Sequence, residues 1–259
     1  MMGVRGMESL MVLELQQIDG LAQELAGLHP ADIIKRAQQE YGPELAVSFS
    51  GAEDVVLIDM ASRTGLPFRL FTLDTGRLHP QTYQFMQQVR DRYHVNIEAY
   101  TPQPEPLQYL VTTKGYFSFY QDGHEECCSI RKVEPLRRAL AAVPAYITGQ
   151  RKDQSPGTRA DIPVVQHDTG FSTPGHNLVK FNPLANWSSA KVWQYIREHD
   201  TPYNPLHDVG FRSIGCEPCT KATNPGEHER EGRWWWEEAT KRECGLHIIN
   251  LGSEPSSGA

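Results

Sequence analysis

Four cysteines fall in two close pairs, Cys127-Cys128 and Cys216-x-x-Cys219, and a fifth, Cys244, stands alone near the end of the 259-residue chain. Two thiolate pairs make a metal-sized ligand set, suited to a tetrahedral zinc ion or to an iron–sulfur cluster. Zinc pairs are usually separated by about two to four residues. Neighbouring side chains diverge, so Cys127-Cys128 favours the wider corners of a [4Fe–4S] cluster over one small ion. Structural zinc, and plain packing or redox thiols, are the alternatives. Cys244 lies in the mostly polar run Lys241-Arg242-Glu243-Cys244-Gly245-Leu246-His247, where a thiol has little packing role. The thiolate is the nucleophilic form of cysteine. Lys241 and Arg242 favour it and Glu243 opposes it, while His247 is close enough in sequence to orient a substrate or stabilise the sulfur. An inorganic centre beside a separate reactive sulfur points to redox or sulfur chemistry.

A second set of residues suits an anion. Ser48-Phe49-Ser50-Gly51-Ala52-Glu53-Asp54 joins a predicted strand to a predicted helix. Small residues there let the backbone approach a ligand, and the helix start offers free N–H groups. The chain has no Gly-x-x-x-x-Gly-Lys-Ser/Thr at this point, so the loop is not a P-loop. The candidate cations are Lys132, Arg159, Arg230 and Arg233, arginine offering a fork that fits phosphate or sulfate. Glu227, Glu229 and Glu231 alternate with the last two, so simple surface neutralisation is the competing reading. His124 is a weaker candidate. Trp234-Trp235-Trp236 is either a lid or partner surface, or packing.

The positioning elements follow from hydrophobic periodicity. The first 40 residues read as two helices broken at His29-Pro30. Glu44 to Ser50, Pro67 to Leu73, Val95 to Tyr100 and Ala145 to Thr148 read as strands. Asp54 to Arg63, Pro80 to Tyr93, Val133 to Ala142 and Trp187 to His199 read as helices. This alternation predicts an α/β fold with a doubly wound, mostly parallel sheet. In such sheets ligands sit beyond the carboxyl ends of the strands, where Ser48-x-Ser50-Gly51, Asp74-Thr75-Gly76 and Gly149-Gln150-Arg151 all fall. Residues 151–182 read as irregular, Arg233 to Arg242 as a possible helix, and residues 252–259 as compositionally disordered. The expected organisation is N-terminal helices over 1–40, an α/β body over 41–225 and a C-terminal segment over 226–259 carrying Cys244.

Composition limits the function. An apolar fraction of 39% supports a sizeable core, and a net charge of −7 argues against a polyanion binder. No run reaches the roughly 18–20 apolar residues of a membrane span. The first 17 residues lack the pattern of a secretory signal. The expectation is a cytoplasmic protein with reduced cysteines, with no nucleic-acid or membrane partner.

Ser50-Gly51-Ala52-Glu53-Asp54-Val55 resembles the pyrophosphate loop of the adenine nucleotide α-hydrolase-like enzymes, with the second glycine and final serine replaced. It is more similar to the variant loop of the sulfonucleotide (PAPS/APS) reductases. Glu126-Cys127-Cys128-x-x-Arg131-Lys132 and Gly215-Cys216-x-Pro218-Cys219-Thr220 resemble the cluster motifs of that family's members acting on adenosine 5'-phosphosulfate (APS). Glu243-Cys244-Gly245-Leu246-His247 matches the family's Glu-Cys-Gly-(Leu/Ile)-His tail, and the segments around Arg159 and Arg230–Arg233 resemble its arginine motifs.

The resemblance implies a [4Fe–4S] cluster on Cys127, Cys128, Cys216 and Cys219. It implies adenosine against Ser48, Ser50, Gly51, Leu73, Thr75 and Gly149, and a phosphosulfate facing Lys132, Arg159, Arg230 and Arg233. It implies Cys244 as nucleophile with His247 and Lys132 assisting, reduced thioredoxin as electron donor, and an ordinary dimer or tetramer. The alternatives are a PAPS reductase, a tRNA-thiolating enzyme with an iron–sulfur cluster, and a non-catalytic redox sensor. The cysteine quartet argues against the first, the degraded loop and net charge of −7 against the second, and the tail and arginines against the third.

Overall fold

In the protein, a computed structural model that describes residues 15–154 and 159–238, helix starts coincide with capping signals in the sequence. α1 spans Leu15–Leu25 and α2 Pro30–Tyr41. Proline opens α2, where its missing N–H costs nothing, and His29 Nδ1 accepts from Ala31 N at 3.3 Å. β1 (Leu45–Phe49) leads into α3 (Ala52–Arg63), β2 (Arg69–Leu73) into α4 (Pro80–Tyr93), and β3 (Ile97–Tyr100) into α5 (Pro104–Lys114). Two short turns of helix follow, α6 (Phe119–Asp122) and α7 (Glu125–Cys128). A π-helical turn over Ser129–Val133 then joins α7 to α8 (Glu134–Leu140). β4 (Ala145–Ile147), β5 (Val165–His167) and β6 (Val179–Phe181) complete the sheet, and α9 (Ser189–Glu198) starts where Ser188 Oγ accepts from Lys191 N.

The sheet order is β3-β2-β1-β4-β6-β5. All neighbouring pairs run parallel except β5, which lies antiparallel on β6 at the edge. The order turns back between β1 and β4, the switch point where doubly wound sheets open a crevice. Both faces are buried, as parallel strands require. Leu45, Val47 and Phe49 enter a large core with Ile33, Ile34, Val56, Leu57 and Ile196 from α2, α3 and α9. Ala46, with Phe71 and Tyr146, faces a second core under Leu136, Ala139 and Leu140 of α8. Ser48 lies on the same strand face as Ala46, one step nearer the crevice.

Two expectations are corrected and one helix is added. Residues 151–182 are not wholly irregular, since β5 and β6 lie within them; no helix separates these two short strands, so the strand–helix alternation that marks the others is missing here. α5 follows β3 without having been read from the sequence. Residues 233–238 form turns, with Arg233 bridged to Thr220, in place of the start of a helix; residues 239–242 lie outside the described residues. Among the described residues no helix is long and apolar enough to cross a membrane.

Leu57, fully buried on α3, tests the larger core. Leu57→Ala is expected to lower unfolding free energy by about 2–5 kcal/mol, read as a lower urea midpoint with an unchanged slope.

Candidate active site

The crevice is built around one carboxylate. Asp54, in the first turn of α3, accepts from Ser50 N (2.8 Å), Ser50 Oγ (2.9 Å) and Gly51 N (2.9 Å) on one oxygen and from Gly149 N (3.0 Å) on the other. It therefore ties the loop after β1 to the loop after β4. Burial, with the charge of Glu53 beside it, pushes its pKa up to about 6, against the pull of the Ser50 and Gly51 donors. Gly149 has no room for a side chain, because a Cβ there would stand 2.6 Å from both Asp54 Oδ1 and Glu53 Cβ.

Above this floor lies a cavity of about 270 Å³. Ser48, Ser50, Gly51, Leu73, Thr75, Gly149, Lys132, Arg159, Arg230 and Arg233, named from sequence alone, all border it. Three of the four cations gather on Trp234, which is fully buried. Arg233 Cζ is 4.5 Å, Lys132 Nζ 5.7 Å and Arg230 Cζ 6.0 Å from an indole ring centroid. A ring face attracts cations without neutralising them, so the indole collects three like charges on one wall. Trp234 adopts a left-handed φ of +42°, a conformation that is strained for a bulky residue.

A second, smaller void adjoins the first. Cys127, Cys128, Cys216 and Cys219 all line it, with Arg77, Phe119, His124, Arg131 and Lys132. Cys216 and Lys132 border both spaces. Cys127 and Cys128 arrive on α7. Cys216 and Cys219 arrive on a turn held to the segment after β2, with Glu217 N donating to Arg77 O at 2.8 Å and Thr75 Oγ1 3.2 Å from Cys216 Sγ.

The residues present fit a metal cluster. Four thiols converge, and Arg77 Nη1 and Arg131 Nε on the same wall are buried without a hydrogen-bond partner, as donors facing an anionic centre would be. Burial, reinforced by Cys216, pushes Cys219 up to about 12 against Lys132 and Arg233. Cys127 is raised by burial against Arg131 and Arg77. Metal ligation needs the thiolates, so loading this site would release protons.

His124, buried on the same wall, stacks on Trp234 with centroids 4.3 Å apart. Its Nδ1 lies 2.7 Å from Glu237 Oε2, and its backbone N–H donates to Glu237 Oε1 at 2.9 Å. The segment 234–237 is thereby clamped over the thiols. Of the three tryptophans, Trp234 is buried, Trp236 donates from Nε1 to Phe119 O at 3.2 Å, and Trp235 is exposed. Cys244 and His247 lie outside the described residues.

Residues 44–222 match the phosphoadenosine phosphosulfate reductase domain. This chain belongs to that family. It is 57% identical over 234 residues to an adenosine 5'-phosphosulfate reductase of Pseudomonas aeruginosa strain LESB58, covering 90% of this chain and 88% of that protein. Identity is 54% over 247 residues to the chloroplastic 5'-adenylylsulfate reductase 1 of Arabidopsis thaliana, covering 94% of this chain and 53% of that longer protein. A solved phosphoadenylyl-sulfate reductase from Candida auris, in a phosphate complex, superposes with a TM-score of 0.66 at 31% identity, over 82% of this chain and 98% of that one. An FMN adenylyltransferase of Candida glabrata, 15% identical with a TM-score of 0.52 over 84% of this chain and 71% of that one, shares the fold alone.

In this reductase-family chain, sequence reasoning missed a buried ionic knot at the cavity rim. Arg151 is fully buried and donates from Nη2 to Glu53 Oε1 (3.0 Å) and to Glu229 Oε2 (3.1 Å), and it also pairs with Asp153. It joins the first turn of α3, the loop after β4 and the segment that leads into Arg230. Burial raises Glu229 against the pull of Arg151. Only the sequence cluster Gln150-Arg151-Lys152-Asp153 hinted at it, and nothing in that run says which charge turns inward.

Gly149→Ala should displace Asp54 from its four donors and lower the unfolding free energy by about 1–3 kcal/mol, the scale of overpacking a tight site. A urea titration checks this, and a wild-type midpoint would show that the two loops can move apart without cost.

Proposed function

We propose that this protein reduces adenosine 5'-phosphosulfate to sulfite and AMP, as an assimilatory enzyme of the reducing cytoplasm. The observation that carries the reading is the shared wall: through Cys216 and Lys132, a four-thiol site adjoins a cation-lined cavity at the carboxyl edge of the sheet. The names of its close relatives support the same substrate. Ser48, Ser50, Gly51, Leu73, Thr75 and Gly149 would hold the adenosine. Lys132, Arg159, Arg230 and Arg233 would hold the phosphosulfate and neutralise it against an incoming anion.

Cys244 is six residues beyond Glu238 in the sequence, a span that covalent geometry limits to roughly 20 Å. Its thiolate attacks the sulfate sulfur. The S–O bond to phosphate breaks, and AMP leaves with both electrons of that bond, its phosphate oxygens stabilised by the cations. The enzyme is left with S-sulfocysteine, and His247, three residues on in the sequence, would orient the substrate or stabilise the thiolate. A thiolate of reduced thioredoxin then attacks Cys244 Sγ, sulfite departs, and a mixed disulfide forms. The second thioredoxin thiol resolves it, so thioredoxin supplies the two electrons and two protons are released.

Cys127, Cys128, Cys216 and Cys219 would hold a [4Fe–4S] cluster, which when bound supplies a compact anionic centre and a covalent tie between α7 and the turn at 216–219. A dimer or tetramer fits this reading.

Anaerobic incubation of the full chain with APS, without reductant, is expected to add one sulfonate to Cys244 in the intact-protein mass. Cys244→Ser should take up none, and PAPS should label weakly. Equal labelling by PAPS would move the substrate to the 3'-phosphorylated nucleotide, and no label from either would remove the reductase reading. For the cluster, Cys128→Ser and Cys219→Ser should each reduce bound iron and acid-labile sulfide from about four per chain to a small fraction. Zinc in the wild-type protein in place of iron would overturn that assignment.

A further inference from the structure

The far wall of the cavity carries a cation that no motif marks. Lys180 lies in the middle of β6 and is 3% exposed, yet it borders the cavity together with Tyr146 and Arg159. The register sets it beside Tyr146 of β4 and Gln166 of β5, so its side chain shares the face of Tyr146, and its Nζ is 6.0 Å from that ring centroid. A lysine kept only for packing runs its stem along apolar surface and frees its ammonium to water; this one does not. An ion-paired lysine would meet a carboxylate, but Asp168 is already engaged. One of its oxygens accepts from Tyr146 Oη and the other from Gly170 N and Phe171 N, both at 3.2 Å. Among the described residues no hydrogen bond joins Lys180 Nζ to any of them.

A buried ammonium without a hydrogen-bonded counter-ion is expensive. Burial lowers the amine to about 8, Asp168 pulling it back up and Arg159 pushing it further down. Arg159, itself buried and on the cavity wall, is thus a second cation close enough to be felt. Lys180 and Arg159 thus set two cations on the wall of one cavity, and the Lys180 ammonium has no hydrogen-bonded carboxylate among the described residues. We propose that the Lys180 ammonium and the Arg159 guanidinium form a paired site for one oxyanion of the bound nucleotide, its phosphate or its sulfate. The proposal rests on the nucleotide reading above and adds Lys180 to the substrate-binding residues.

Calorimetry on the full-length, cluster-loaded protein tests it, with adenosine, AMP and APS as probes and a Cys244→Ser background for APS so that no transfer occurs. In Lys180→Met, loss of one charge-assisted contact should weaken binding by about tenfold to a hundredfold. If the phosphate is held there, AMP and APS weaken alike. If the sulfate is held there, only APS weakens. Adenosine is unaffected in both cases, and Lys180→Arg should retain part of the affinity. Wild-type binding of AMP and APS by Lys180→Met, within about twofold, would overturn the proposal. A wild-type protein that binds neither nucleotide would instead overturn the nucleotide reading itself.

Should Lys180→Met fail to fold, the wild-type pH series decides. Arg159, Asp168 and Tyr146 are the charged and titratable groups facing Lys180, and burial holds Tyr146 well above its ordinary range. The ammonium is present below about pH 8 and lost above it, and a bound anion moves that loss upward. Affinity for the oxyanion-bearing probe should therefore fall as the pH rises past 8 while that for adenosine stays level; a flat profile for all three would overturn the proposal.

Discussion

Like charges held side by side on a cavity wall repel one another, and much of this structure follows from managing that repulsion. Lys132, Arg230 and Arg233 come from a π-helical turn and from a late irregular segment, and Trp234 gives them a common surface. An indole face attracts cations without adding a formal negative charge. A carboxylate in its place would hold them more firmly and cancel the field that an anionic ligand needs. The left-handed φ of Trp234 is then understandable as the backbone conformation that inserts this ring, with Arg233 and His124 packed against it. A protein with a net charge of −7 thereby keeps a locally positive cavity, and low-dielectric walls focus such a field.

Carboxylates are used where position matters more than field. Asp54 gathers four donors from two loops, and Arg151 joins Glu53, Asp153 and Glu229. Both lie at the switch point, where β1 and β4 end next to each other without a covalent connection. A buried ion pair of this kind is weak as a source of stability but strong as a constraint, because removing one partner strands the other. The Arg151 knot transmits the position of the β-strand ends to Glu229, and so to Arg230 one residue later.

The sequence made the sheet legible wherever a strand took its place in the strand–helix alternation. β1, β2 and even the three-residue β4, behind its helix, were readable; β5 and β6 have no helix between them and vanished among the glycines and prolines of 151–182. Leu15–Leu25 and Pro30–Tyr41 were visible as helices because their apolar stripes face one core. The turn at 233–238 was not, because three consecutive tryptophans among charges imitate a helical pattern while the chain folds back to bridge Thr220. The site showed the same division. Residues in motifs, such as the paired cysteines and Ser50-Gly51, could be named from type and spacing. Arg151 and Lys180 could not, since a lone cation in a strand or loop has the same sequence signature whether it faces solvent or cavity.

The two voids share Lys132 and Cys216, and that sharing restricts how either site can vary alone. Cys216 is held by Thr75 on the side of the larger cavity and borders the smaller void with the other thiols. Lys132 sits between Trp234 and Cys219, close enough to draw the Cys219 thiol downward. Any centre bound by the four thiols would therefore fix the wall that three cavity cations lean on, without needing to exchange electrons with the ligand. The clamp of His124 on Glu237 extends the same rigidity to the last described turn of the chain. The cavity surface thus has its charges already in place, because the thiol site, the indole and the buried ionic knot have each fixed part of it.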